Sequence, residues 1–126
     1  MHLTDKLKML SDKFYLRLAI SWTLIILWLS LISVHSVSQY SIWNFAGADK
    51  LVHVIFYFIF SILWSIGLKN KNSIKKFVLI FSVSFGILME ICQFYLSNGR
   101  SFELYDILAN IIGSLGGVIL FKLFIN

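Results

Sequence analysis

Residues 77–96 read FVLIFSVSFGILMEICQFYL, a run in which Glu90 is the only charged side chain. At 1.5 Å per residue, a helix of this length is about 30 Å long, which matches the hydrocarbon core of a bilayer. Three more apolar runs of similar length occupy residues 18–37, 51–68 and 104–125. The chain is therefore predicted to form four transmembrane helices.

The composition also indicates a membrane protein. Of the 126 residues, 59% are hydrophobic and 13% are charged, whereas soluble domains average about 45–50% apolar and about 25% charged residues. The length leaves room for a single domain, residues 1–126, and for no separate catalytic domain. Because the runs lack the alternation of barrel strands, and unpaired backbone groups are costly in lipid, the predicted fold class is an all-α membrane bundle.

The basic residues predict the orientation of the bundle. Only Lys50 and Arg100 adjoin the connections 38–48 and 97–103, and the other lysines and arginines flank the opposite ends of the runs. Positive residues favour the cytoplasmic side, so both termini are predicted to lie in the cytoplasm. The net charge of +5 then reflects topology and contact with anionic lipid, and it indicates no nucleic-acid partner.

The segment in front of the first run has an amphipathic pattern. Its apolar residues recur at helical spacing: Leu3, Leu7, Leu10 and Phe14. This pattern predicts an N-terminal amphipathic helix at the membrane interface. The first run itself is longer than the core of a secretory signal peptide and contains Trp22 and Trp28, so we expect it to remain as a span.

Polar residues cluster at the outward ends of the last three runs. Ionisable residues are expensive inside a membrane, so each is a candidate for function. Those with a spacing of three or four share one helix face, which predicts an outward-facing polar pocket with Glu90 and Asn110 at similar depth. The candidate ligand-binding residues are Asp49, Lys50, His53, Glu90, Gln93, Arg100, Ser101, Asp106 and Asn110.

The third and fourth runs carry small residues on their polar faces. Gly113 and Gly117 follow Asp106 on one face of the fourth run, and Gly86 precedes Glu90 on the third. Such stripes let helices approach closely, so we expect these two faces to meet. The Gly113 and Gly117 face is also a candidate contact for a partner membrane protein. Arg100 is expected to pair with Glu90, the deepest charge, or with Asp106, and such a pair could be purely architectural.

Three of the polar residues are candidates for catalysis: His53, Glu90 and Asp106. His53 would act as general base or acid while the carboxylates share the proton traffic, although no nucleophile stands out. With Asp49 they could also supply one nitrogen and three oxygens to a divalent ion. However, the H-x-x-H and H-E-x-x-H spacings are absent, as are phosphate-loop and dinucleotide motifs, so we expect no metal and no other cofactor.

These residues resemble the VanZ-like family. The resemblance lies in DKLVH at 49–53, GILME at 86–90 followed by Gln93 and Phe94, GRSF at 99–102, and DILAN at 106–110 followed by Gly113. One departure is the lack of a proline before Gly99. The resemblance implies a small integral membrane protein in a family named for a member that confers low-level resistance to teicoplanin, and its motif marks the same polar residues.

From these observations and the resemblance we expect a protein of a bacterial inner membrane that binds an amphipathic envelope molecule: a lipid, a lipid-linked wall precursor or a lipoglycopeptide. Glycopeptide resistance and envelope homeostasis are the corresponding physiological roles. Two alternatives belong to other classes. One is a membrane-embedded hydrolase or transferase acting on a lipid-linked substrate, and the other is a helper subunit of a transporter or wall synthase.

Overall fold

The computed structural model describes residues 3–31, 48–68, 74–96 and 104–124. These residues form four helices: α1 (Leu3–Leu31), α2 (Ala48–Gly67), α3 (Ile74–Leu96) and α4 (Leu104–Phe124). Each helix contains a stretch that is long and apolar enough to cross a membrane. The all-helical fold and the four candidate spans predicted from the sequence are confirmed.

The first helix begins well before its apolar run. The segment predicted to be an amphipathic interfacial helix is helical and continues without a break into the apolar run, and the candidate span within α1 is Ser11–Ser30. The position of this segment at the membrane interface stays a prediction. Residues 3–31 contain neither glycine nor proline, so no residue in this segment ends the helix. Residues 32–37, which the predicted span included, lie outside the described part of the chain.

Helix α2 is the centre of the bundle. Helices α2 and α3 each contact the other three helices, but α2 has the more extensive contacts, above all with α4. Helices α1 and α4 do not contact each other within the described residues. Hydrogen bonds from two indole groups link α1 to α2. Trp22 Nε1 donates a hydrogen bond to the Phe56 carbonyl oxygen at 2.9 Å, and Trp64 Nε1 donates to Thr23 Oγ1 at 3.1 Å. These bonds satisfy the polar N–H groups of large side chains within the bundle.

Aromatic side chains fill the space between α1, α2 and α3. Phe60 is fully buried, and its ring stacks on that of Phe85 with centroids 5.3 Å apart. Phe81 packs against both Phe60 and Trp64. This side of α2 is therefore stabilised by apolar and aromatic packing, which leaves the polar residues on the side that faces α4.

Helices α2 and α4 run parallel and pack backbone to backbone. A Cβ atom at Gly113 would overlap the carbonyl oxygen of Val54, and one at Gly117 would overlap the side chain of Ser61 and the carbonyl oxygen of Phe58. A close helix approach at this stripe is confirmed. The approaching helix is α2, whereas the sequence predicted the face of the third run, α3, so the predicted partner of these two glycines was wrong. A partner protein could use the stripe only if α2 moved away from it.

Gly113→Ala and Gly117→Ala are expected to lower the stability of the protein in detergent by about 1–3 kcal/mol each, because the added methyl group meets backbone atoms of α2. Gly116→Ala is the matched control. Its Cβ would lie 3.3 Å from the ring of Phe58, a side chain that can move. Thermal unfolding of the three variants measures the difference, and equal stability would contradict close packing of α4 on α2.

Candidate functional site

Polar side chains from three helices meet at one end of the bundle. Lys50 and His53 lie in the first two turns of α2, and Asp106 and Asn110 lie in the first two turns of α4. Glu90 lies in the last two turns of α3, which runs antiparallel to α4. The N-terminal ends of α2 and α4 therefore share this end with the C-terminal end of α3. We call these five residues the polar cluster.

The faces of α3 and α4 meet as predicted. The hydroxyl groups of Ser82 and Ser114 form a buried hydrogen bond. One turn along, Gly86 faces Asn110, and a Cβ at this glycine would lie 2.9 Å from Asn110 Nδ2. Glycine at position 86 therefore lets the Asn110 amide pack against the backbone of α3.

The next turn brings Glu90 beside Asp106, where the ligand atoms of the two carboxylates lie within 4.8 Å. Glu90 is thus level with Asp106, and Asn110 lies about one turn deeper. The predicted equal depth of Glu90 and Asn110 was wrong by one turn. The error arises because helical spacing gives the face of a residue and leaves the register between two helices undetermined.

Asp106 is the contact point of the two residues from α2. Lys50 Nζ lies 2.8 Å from Asp106 Oδ1, and His53 Nε2 lies 3.7 Å from Asp106 Oδ2. The side chain of Lys50 is 32% exposed, whereas that of Asp106 is 9% exposed. The ion pair therefore connects the surface of the bundle to its buried interior. Asp106 also lies in the first turn of its helix, where a negative charge is favourable.

Asn110 determines how His53 is oriented. The two side chains are joined at 2.8 Å through His53 Nδ1 and Asn110 Oδ1. Since an amide oxygen only accepts, Nδ1 carries the hydrogen and donates it. Asn110 is almost fully buried, and its Nδ2 has no hydrogen-bond partner among the described residues. The backbone carbonyl oxygen of Asn110 accepts a hydrogen bond from Ser114 Oγ at 2.8 Å.

Glu90 is the most deeply buried acidic residue of the polar cluster, with 1% of its surface exposed. Its carboxylate belongs to a group of three ligand atoms, with those of His53 and Asp106, that all lie within 4.8 Å of one another. Gln93, one turn nearer the end of α3, is also buried. The polar cluster can therefore bind a cation between its carboxylates, transfer protons through His53, or contact an anion through Lys50.

Three polar residues near the polar cluster were missed by the sequence interpretation. Ser114 follows Asn110 by four residues, Ser82 precedes Gly86 by four, and Tyr57 follows His53 by four. All three are buried, and Tyr57 lies within electrostatic reach of Glu90. Extending the same helical spacing by one turn would have found them.

Part of the predicted site lies outside the described residues. This applies to Arg100, to Ser101 and to the side chain of Asp49. The expected pairing of Glu90 with Arg100 therefore also falls outside the described residues. The remaining predicted site residues are described, and apart from Gln93 they belong to the polar cluster.

Comparison with protein-family models matches residues 8–125 to the VanZ/LLP1 family. Searches of curated proteins and of solved structures each found no match. The matched region spans nearly the whole chain and includes all three helices that contribute to the polar cluster. The chain belongs to the VanZ/LLP1 family.

Proposed function

We propose that this protein binds the negatively charged head group of an amphipathic envelope molecule at the polar cluster. The ligand class comprises an anionic lipid, a lipid-linked wall precursor and a lipoglycopeptide. The observation that supports this proposal is the position of Lys50, a partly exposed cation at the edge of a buried polar cluster. A phosphate or carboxylate at the bundle surface would meet this ammonium group first.

The surroundings of Lys50 suit a ligand with an acyl chain. Large apolar side chains next to the polar cluster are exposed, among them Leu51, Leu104 and Tyr105. Such side chains contact lipid when the helices lie in a membrane. An amphipathic molecule could therefore lay its chain against them while its head group reaches Lys50.

Two further features favour an anion at this end. The N-terminal ends of α2 and α4 present the positive poles of their helix dipoles. Arg100 lies in the segment that connects α3 to α4 and would bind phosphate or carboxylate in a bidentate manner. With the termini in the cytoplasm of a bacterial cell, as the basic residues favour, the polar cluster would face outward. Glycopeptide resistance and envelope homeostasis are the roles that such binding would serve.

Lys50→Gln is expected to weaken binding of anionic envelope lipid about ten-fold or more, because a hydrogen bond to a charged group contributes about 1.5–3 kcal/mol. The matched control is Lys122→Gln, which removes an exposed lysine from the last turn of α4 at the other end of the bundle. Mass spectrometry of lipids retained by protein purified in native membranes, with wild type alongside, gives the measurement.

Arg100→Ala is a second variant with the same expected direction. Equal lipid retention by the wild type and all three variants would contradict head-group binding at the polar cluster. A loss shared by Lys50→Gln and Lys122→Gln would indicate general attraction of lysines to lipid instead of a site.

A second candidate function is hydrolysis or group transfer on a lipid-linked substrate. The observation in its favour is the distance of at most 4.8 Å between the ligand atoms of His53, Glu90 and Asp106. Proton transfer requires acid and base groups within direct or water-bridged reach. His53 would serve as the general base or acid, and Arg100 would stabilise developing negative charge.

His53→Gln separates the two candidates. For an enzyme, we expect this variant to lose about 10²–10⁴-fold in rate, the usual contribution of a general acid or base, while head-group binding at Lys50 remains. The assay incubates the protein with extracted envelope lipids and follows product formation by mass spectrometry. Unchanged lipids after incubation with wild-type protein would contradict catalysis and leave binding as the function.

A further inference from the structure

We propose that His53, Glu90 and Asp106 form a binding site for one divalent first-row transition-metal ion, of the zinc or manganese class. The three residues come from α2, α3 and α4, and their ligand atoms lie within 4.8 Å of one another. Bonds from zinc to nitrogen and oxygen ligands are about 2.0–2.2 Å long. An ion between the three side chains would therefore require only small movements of atoms that already surround it.

The hydrogen bonding of His53 is the arrangement that a metal ligand requires. Because Nδ1 donates to Asn110 Oδ1, the neutral ring has its lone pair on Nε2. That atom lies 3.7 Å from Asp106 Oδ2, so a neutral ring places two electron-rich atoms near each other. A metal ion bound between them would offset their repulsion. Metal-bound histidines characteristically donate their other ring N–H to an oxygen in this way.

Asp106 is arranged for ligation through one oxygen. Lys50 Nζ contacts Oδ1 at 2.8 Å, which leaves Oδ2 on the side of His53. The lysine would then orient the carboxylate as an outer-shell partner of the ion. One nitrogen and two carboxylate oxygens suit zinc and manganese, whereas calcium takes six to eight oxygen ligands.

Two buried donors near the three ligands indicate a further component of the site. Asn110 Nδ2 and the Tyr57 hydroxyl have no hydrogen-bond partner among the described residues. Buried donors normally have partners. Three protein ligands leave at least one position on the ion open, and a water molecule or anion bound there could accept a hydrogen bond from the Tyr57 hydroxyl, which lies within electrostatic reach of Glu90. The metal site does not depend on the proposed head-group binding.

The test uses purified full-length protein that is stripped with a chelator and then titrated with Zn²⁺ or Mn²⁺, with Mg²⁺ and Ca²⁺ for comparison. Calorimetry and elemental analysis after dialysis should give one Zn²⁺ or Mn²⁺ per chain. Glu90→Gln should weaken metal binding about 100-fold or more. Replacing a residue that only hydrogen-bonds to a metal ligand already weakens binding about 10–100-fold, and Glu90 would bind the ion directly. Asp12→Asn, in α1, and Cys92→Ser, which removes the only thiol, should bind as wild type does.

X-ray absorption on the zinc-loaded wild-type protein tests the ligand set without any substitution. We expect a first shell of nitrogen and oxygen at about 2.0–2.2 Å with the scattering of one imidazole, whereas a cysteine ligand would appear at about 2.3 Å. Binding of less than one ion per chain, a sulfur ligand, or equal affinity in well-folded Glu90→Gln protein would overturn the proposal.

Discussion

The contact of α4 with the backbone of α2 is the constraint on which the polar cluster depends. Gly113 and Gly117 have no side chain to separate the two helices, and any Cβ there would overlap α2. This close approach places the first turns of both helices side by side, so that His53 reaches Asn110 at 2.8 Å. Larger residues in the stripe would move the helices apart. The Asn110 side chain is short, so it could then no longer reach His53.

Polarity decreases in steps along α4 from its N-terminal end. Asp106 pairs with Lys50, Asn110 bonds to His53, and Ser114 bonds to a serine of α3, at successive turns of one face. A charge is most expensive to bury in an apolar bundle, an amide is less so, and a hydroxyl is least. Asp106, which carries the charge, thus lies nearest the end of the bundle, where the partly exposed Lys50 supplies the counter-charge.

The sequence predicted the helices well because apolar runs of bilayer length leave few alternatives in lipid. It also identified the face on which Glu90, Asp106 and Asn110 lie, since helical spacing determines faces within one element. The register between helices was not predictable, because it depends on which small residue meets which backbone, as Gly86 meets Asn110. The continuity of α1 from its amphipathic start into the span was also not predictable, because amphipathicity indicates an apolar face and provides no signal for where a helix ends.

The chemistry of the polar cluster depends on the proton of His53, and this proton is controlled from the neighbouring helices. Asn110 Oδ1 accepts from Nδ1, so Nε2 is left to accept a proton or to bind a cation. Asn110 can adopt this position because position 86 on α3 has no side chain. A rotated amide would donate to Nδ1 instead, and Nε2 would then carry a hydrogen directed at Asp106. Head-group binding at Lys50 is compatible with either state, whereas ligation of a metal ion requires the first.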